Sequence, residues 1–116
     1  KGTKYALEIL MENAPSLSIE MDVAWAHFGG VDPVQYLRRY GHRIPIIHVK
    51  DFWDDNIRGR FTAVGTGVVD CMGCIEAAAA QGTKWMVVEQ DKPHNLTGME
   101  SAVAAILNIR EAGLLR

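Results

Sequence analysis

The chain has 116 residues, 48% of them hydrophobic and 22% charged, which suits one folded domain with a real core and leaves too little chain for two. Its net charge is −2 at pH 7 and, apart from the pairs Arg38-Arg39 and Arg58-Arg60, its cations are scattered, so nucleic acid is not an expected partner. No apolar run approaches the ~20 residues of a membrane-crossing helix, which sets a membrane span aside.

In chain order, the first predicted element is a helix over 2–13, stopped by Pro15, since the residue before a proline is pushed toward extended backbone. The run Leu17-Ser18-Ile19-Glu20-Met21-Asp22 is strand length and strand-like. Asp32-Pro33 then places a capping carboxylate before a proline at the first helical position. Val34, Leu37 and Tyr40 make that helix's apolar face, and Gly41 closes it. A second strand is predicted over 44–50. The next helix is expected from Asp70 to Gly82, with Ile75, Ala78 and Ala79 turned inward. Trp85-Met86-Val87-Val88-Glu89 is the third strand, and Thr97-Gly98-Met99-Glu100 is a capping box. It opens a final helix carrying Val103, Ile106, Leu107 and Ile109 before Gly113.

A leading helix followed by three βα units implies parallel strands joined by crossover helices. Two architectures use such units, the open doubly wound sheet and the closed (β/α)8 barrel. All three strands carry ionisable groups at their C-terminal ends: Asp22; His48 with Lys50 and Asp51; Glu89 with Asp91. Barrel enzymes gather their chemistry there. The doubly wound alternative calls for a glycine-rich phosphate turn, and Gly65-Thr66-Gly67 lacks the G-x-G-x-x-G continuation. A whole barrel takes about 250 residues. The expected fold is therefore α/β, a partial (β/α)8 TIM barrel: residues 1–116 as a single domain forming the C-terminal half, paired with more protein.

Side chains two apart on a strand share a face, which groups Glu20 with Asp22, Ile46 with His48 and Lys50, and Val87 with Glu89. Two carboxylates and an imidazole meeting at one mouth repel unless a cation compensates them. Asp22, His48 and Glu89 are thus candidate ligands of one divalent metal ion, and their oxygen and nitrogen donors suit Mn²⁺, Mg²⁺, Co²⁺ or Zn²⁺. Cys71 and Cys74 form a C-x-x-C at a helix start. No second pair completes a zinc site and no strand leads into it as in a thioredoxin motif, so both read as small packing residues. His27, His42 and His94 read as loop residues.

Several segments together resemble the metal-dependent sugar isomerases and epimerases of the xylose isomerase-like barrel family. They are Met21-Asp22-Val23-Ala24-Trp25-Ala26 with Gly29-Gly30, Asp32-Pro33-Val34, Arg43-Ile44 leading to His48-Val49-Lys50-Asp51, Val64-Gly65-Thr66-Gly67-Val68-Val69-Asp70, and Val88-Glu89-Gln90-Asp91. The resemblance implies a metal held by a glutamate, an aspartate, a histidine and a second glutamate on four successive strands. Asp22, His48 and Glu89 match the last three, and the first glutamate is expected on a strand ahead of Lys1. Thr66 stands where the family's V-G-E-G loop has glutamate.

The implied chemistry is proton transfer beside a sugar carbonyl through a metal-stabilised enediolate. Glu89, together with the glutamate expected ahead of Lys1, is the implied acid/base pair, Trp25 an apolar wall of the substrate site, and Lys50 a substrate contact that neutralises oxyanion charge. The expected partners are a small sugar or polyol and a second copy of the chain, in a cytoplasmic setting. Keto-polyol (inosose-type) dehydration on the same site is the nearest alternative. A non-catalytic half barrel that dimerises through its open sheet edges is another. A DNA-repair endonuclease on this barrel would need further histidine ligands and a basic groove, and the sequence shows neither.

Overall fold

The computed structural model describes residues 4–54 and 60–115. Gly2, in the predicted first helix, and Arg58, in the second basic pair, lie outside the described residues. The chain folds as α/β with a parallel sheet. Helix α1 spans Ala6–Asn13, and strand β1, Glu20–Asp22, runs straight into helix α2, Val23–Phe28. Helix α3, Pro33–Tyr40, and a 3-10 turn, Gly41–Arg43, lead to strand β2, Ile46–Val49. Two short strands, β3 (Asp51–Phe52) and β4 (Phe61–Thr62), precede helix α4, Cys71–Ala80. Strand β5, Trp85–Val88, and helix α5, Gly98–Glu111, complete the order.

The helix starts follow from their caps. Asp32 accepts the amide of Gln35 with Pro33 at the first turn, Asp70 accepts that of Gly73, and Thr97 and Glu100 bond each other's backbone in a capping box. Gly82 takes φ +85° just past α4, a conformation glycine adopts without penalty. Arg43 ties the start of the chain to the sheet: its guanidinium donates to the carbonyls of Met11, Ala14 and Leu17.

In the main sheet β1 pairs with β2 and β2 with β5, all parallel, with Asp22 opposite His48 and His48 opposite Val87. Strands are added in chain order, without the reversal that marks a doubly wound sheet. One face carries Met21, Ile47 and Val49, buried with Leu37, Ile44, Cys74, Ile75 and Ala78 in the core. The opposite face carries Glu20, Asp22, Ile46, His48, Trp85 and Val87, and it is open, with Trp85 66% exposed.

Four expectations need correction. The segment after β1 is helical rather than loop, because Asp22 caps it, and His27 therefore lies on a helix. The antiparallel pair β3–β4 was not expected; two-residue strands are too short to show a period. On α4 it is Ala77, not Ala79, that joins Ile75 and Ala78 in the core. On α5 the buried positions are Ser101, Ala105 and Ile109, while Val103, Ile106 and Leu107 are exposed.

Candidate metal centre

Asp22, His48 and Glu89 come from the C-terminal ends of three adjacent parallel strands. Glu89 continues the ladder just past β5, donating its amide to the Val49 carbonyl at 3.0 Å. Each of the three offers one ligand atom, and those atoms lie within 4.8 Å of one another, all half-buried. Asp22 has two tasks. Its Oδ1 accepts the Trp25 amide at 2.9 Å, capping α2, and its Oδ2 lies 3.1 Å from Lys50 Nζ. The cap fixes the carboxylate's rotamer without using all its lone pairs.

His48 stands between two carboxylates. Its Nδ1 is 2.6 Å from Glu89 Oε2 and its Nε2 is 2.6 Å from Glu20 Oε1. Lys50 is 2% exposed and carries its ammonium to Asp22 at 3.1 Å, Glu89 at 3.2 Å and Asp91 at 2.9 Å. Burial works to lower the Lys50 pKa, but the carboxylates of Asp91, Asp22 and Glu89 outweigh it and hold it above the ordinary 10.5. The same bond to Lys50 holds Asp91 below the ordinary aspartate value of 3.8.

Behind the carboxylates lies an aromatic wall. Trp25 meets Phe28, Phe52 and Phe61 edge-on at centroid distances of 5.7, 5.3 and 6.0 Å. The Lys50 ammonium sits 5.3 Å from the Phe61 ring and 6.0 Å from that of Trp25.

Asp51 supplies a support that the sequence did not reveal. It is fully buried, and its carboxylate accepts the amides of Gly65 at 3.0 Å, Gly67 at 2.8 Å and Val69 at 3.0 Å. Lys50 thus pairs with Asp91 and not with its neighbour Asp51, because successive strand residues point to opposite faces. In the loop so held, the Thr66 hydroxyl bonds the Ala63 carbonyl and shares a 2.8 Å hydrogen bond with Thr62. The spacing of glycines around Thr66 was visible in sequence; the carboxylate that gathers their amides was not.

The donor set fits a divalent cation. Two carboxylates and an imidazole are the ligand types such ions take, and Glu89 Oε2 is buried without an aligned hydrogen-bond partner although it lies within ion-pair range of His48 and Lys50. Cys71 and Cys74 play no part: both are buried thiols, and burial pushes the Cys74 pKa up to about 12 and that of Cys71 higher still.

Among curated proteins, the chain is 30% identical over 87 residues to an inosose dehydratase of Geobacillus kaustophilus, covering 61% of this chain and 28% of that protein. It is 29% identical over 101 residues to an inosose dehydratase of Clostridium tetani, covering 72% and 34%. The chain thus spans about a third of the length of the curated relatives it matches. Among solved structures, a sugar phosphate isomerase/epimerase of Parabacteroides distasonis superposes on the whole chain and 38% of its own, with a TM-score of 0.75 at 22% identity. A xylose isomerase domain protein of Alicyclobacillus acidocaldarius superposes on 93% of this chain and 41% of its own, with a TM-score of 0.67 at 19% identity. No family model matches the sequence.

Proposed function

The fold is that of xylose isomerase-like proteins, and from that premise we propose that this chain contributes three metal ligands and the proton-transfer residue of a sugar or polyol isomerase/epimerase. The observation that carries the reading is the meeting of Asp22, His48 and Glu89 within 4.8 Å at one end of three parallel strands. A divalent ion held by these residues would supply Lewis acidity toward a sugar carbonyl, which would acidify the C–H on the neighbouring carbon.

Glu89 then moves the proton. Its carboxylate is half-buried beside His48 and Lys50 and is itself a member of the ligand cluster, so a sugar bound there would lie beside it. Proton delivery to the opposite face by the second glutamate, expected from the protein that completes the site, gives an epimer, and return by Glu89 to the neighbouring carbon gives an isomer. Lys50 offsets the negative charge that builds on the substrate oxygen, acting through the field of an ammonium already shared by three carboxylates. Trp25 and the phenylalanines around it bound the site and exclude water. In this reading the open sheet face is covered by further protein that brings a fourth ligand, and the enzyme acts on small sugars in the cytoplasm, away from nucleic acid.

Keto-polyol dehydration is a second reading, favoured by the two inosose dehydratases that match the sequence. Both begin with removal of the same proton, and dehydration then expels a hydroxide from the next carbon. Metal analysis of the intact protein and of Asp22→Ala tests the shared site: the variant is expected to lose most of its bound metal, and equal metal content in both rejects the assignment. Product analysis on a panel of ketoses and inososes in deuterated water separates the two fates. Rearranged sugar carrying solvent deuterium supports the first, and a product lighter by one water supports the second.

A further inference from the structure

His48 is the one ligand candidate with two chemically distinct ends, and carboxylates face both. Glu89 Oε2 is at Nδ1 and Glu20 Oε1 at Nε2, each at 2.6 Å. The two nitrogens of an imidazole point away from each other, so one ion cannot take His48 through Nδ1 and also be reached by the carboxylate beyond Nε2. Accordingly the atoms that approach within 4.8 Å of one another belong to Asp22, His48 and Glu89, and Glu20 is outside that set.

The strand register explains the placement. Glu20 and Asp22 project from the same face of β1, two residues apart, and β2 sets His48 opposite Asp22 and Ile46 opposite Glu20. Glu20 and His48 thus meet on a diagonal of the ladder, one pair away from the direct Asp22–His48 register.

Building on the metal-site reading above, we infer that Glu20 is a positioning residue: it holds the Nε2 edge of His48 and so presents Nδ1 to the ion shared with Asp22 and Glu89. A ligating histidine gains from a carboxylate at its other nitrogen because that contact fixes ring orientation and tautomer and makes the free nitrogen a better donor. Without Glu20, nothing on β1 selects between the two ring flips. One flip exposes Nδ1 to the cluster and the other turns it away.

The test uses the intact protein with Mn²⁺ and two variants. Glu20→Gln keeps a carbonyl oxygen that accepts from Nε2, whereas Glu20→Ala removes the contact. Mn²⁺ affinity is expected to fall about 10- to 100-fold in Glu20→Ala and by less than about 3-fold in Glu20→Gln. Proton NMR of the metal-free protein reads the ring directly: contacts from the His48 ring protons are expected to show one orientation, with Nε2 toward Glu20, in wild type and Glu20→Gln, and two orientations in Glu20→Ala. Unchanged affinity in Glu20→Ala overturns the inference. Equal, severe loss in both variants also overturns it, since that pattern marks Glu20 as a ligand. Should Glu20→Ala fail to fold, a His48 ring seen in both orientations in wild type overturns it as well. If wild type binds no Mn²⁺, the proposed function fails, while the ring orientation in the metal-free protein still decides the role of Glu20.

Discussion

Lys50 brings one ammonium to Asp22, Glu89 and Asp91 at 3.1, 3.2 and 2.9 Å while remaining 2% exposed. Removing one member of such a buried set leaves charge uncompensated, a loss of about 3–5 kcal/mol for fully enclosed pairs. The carboxylates here are partly solvated, so Lys50→Met is expected to destabilise the fold by about 2–3 kcal/mol in urea denaturation; a change under about 0.5 kcal/mol would show that water already screens the cluster. The pH dependence has a definite sign. Asp91 is held below its ordinary 3.8, so its contribution is present above that value and is lost as pH falls through the lowered one. Lys50 is held above its ordinary 10.5, so its contribution is present below that value and is lost as pH rises through the raised one. The stability gap between wild type and Lys50→Met should therefore be level across neutral pH and narrow at both extremes.

The loop between β4 and α4 is shaped by a buried carboxylate rather than by a turn sequence alone. Asp51 gathers the amides of Gly65, Gly67 and Val69, and Asn108 of α5 donates to the Val64 carbonyl at 2.8 Å from the other side. Replacing Asp51 with alanine strands three amides, and a loss of about 3 kcal/mol in thermal or urea unfolding is expected. Gly67 is required for a steric reason: a Cβ there would lie 2.0 Å from the Phe52 carbonyl and 2.4 Å from Asp51 Oδ1. Gly67→Ala should thus cost about 2–3 kcal/mol, and wild-type stability in that variant would mean the loop can move off β3. At this scale the helix starts were legible, because Asp32, Asp70 and Thr97 act through amides three residues away. The burial of α5 was not. Its apolar residues exceed what its neighbours cover, and the small residues Ser101 and Ala105 are the ones that allow close approach.

The whole molecule measures 42 × 34 × 18 Å, a slab with one sheet face packed and the other open. Its accessible surface is 7125 Å², against about 6300 Å² expected of a compact monomer of this mass. Trp85 and Val87 stand exposed on the open face, on β5. Parallel sheets are normally covered on both faces. We therefore expect the 116-residue polypeptide, expressed alone, to self-associate through this face, and light scattering coupled to gel filtration checks it. A well-folded monomer at micromolar concentration would count against the expectation, and Trp85→Lys should shift any dimer toward monomer.

By itself the sequence determined the three strands of the parallel sheet, the caps of α3, α4 and α5, the parallel order of the βα units and the likeness to xylose isomerase-like barrels. These rest on interactions a few residues long, a period of two or a cap reaching three residues ahead, which any short window of sequence contains. It also placed Asp22, His48 and Glu89 at strand ends. Tertiary structure decided what those residues meet: Lys50 with Asp91 rather than Asp51, His48 between Glu20 and Glu89, and Asp51 beneath the glycine loop. Such contacts join residues that are 14 to 41 positions apart, and strand register, which one residue of slip would reverse, fixes them.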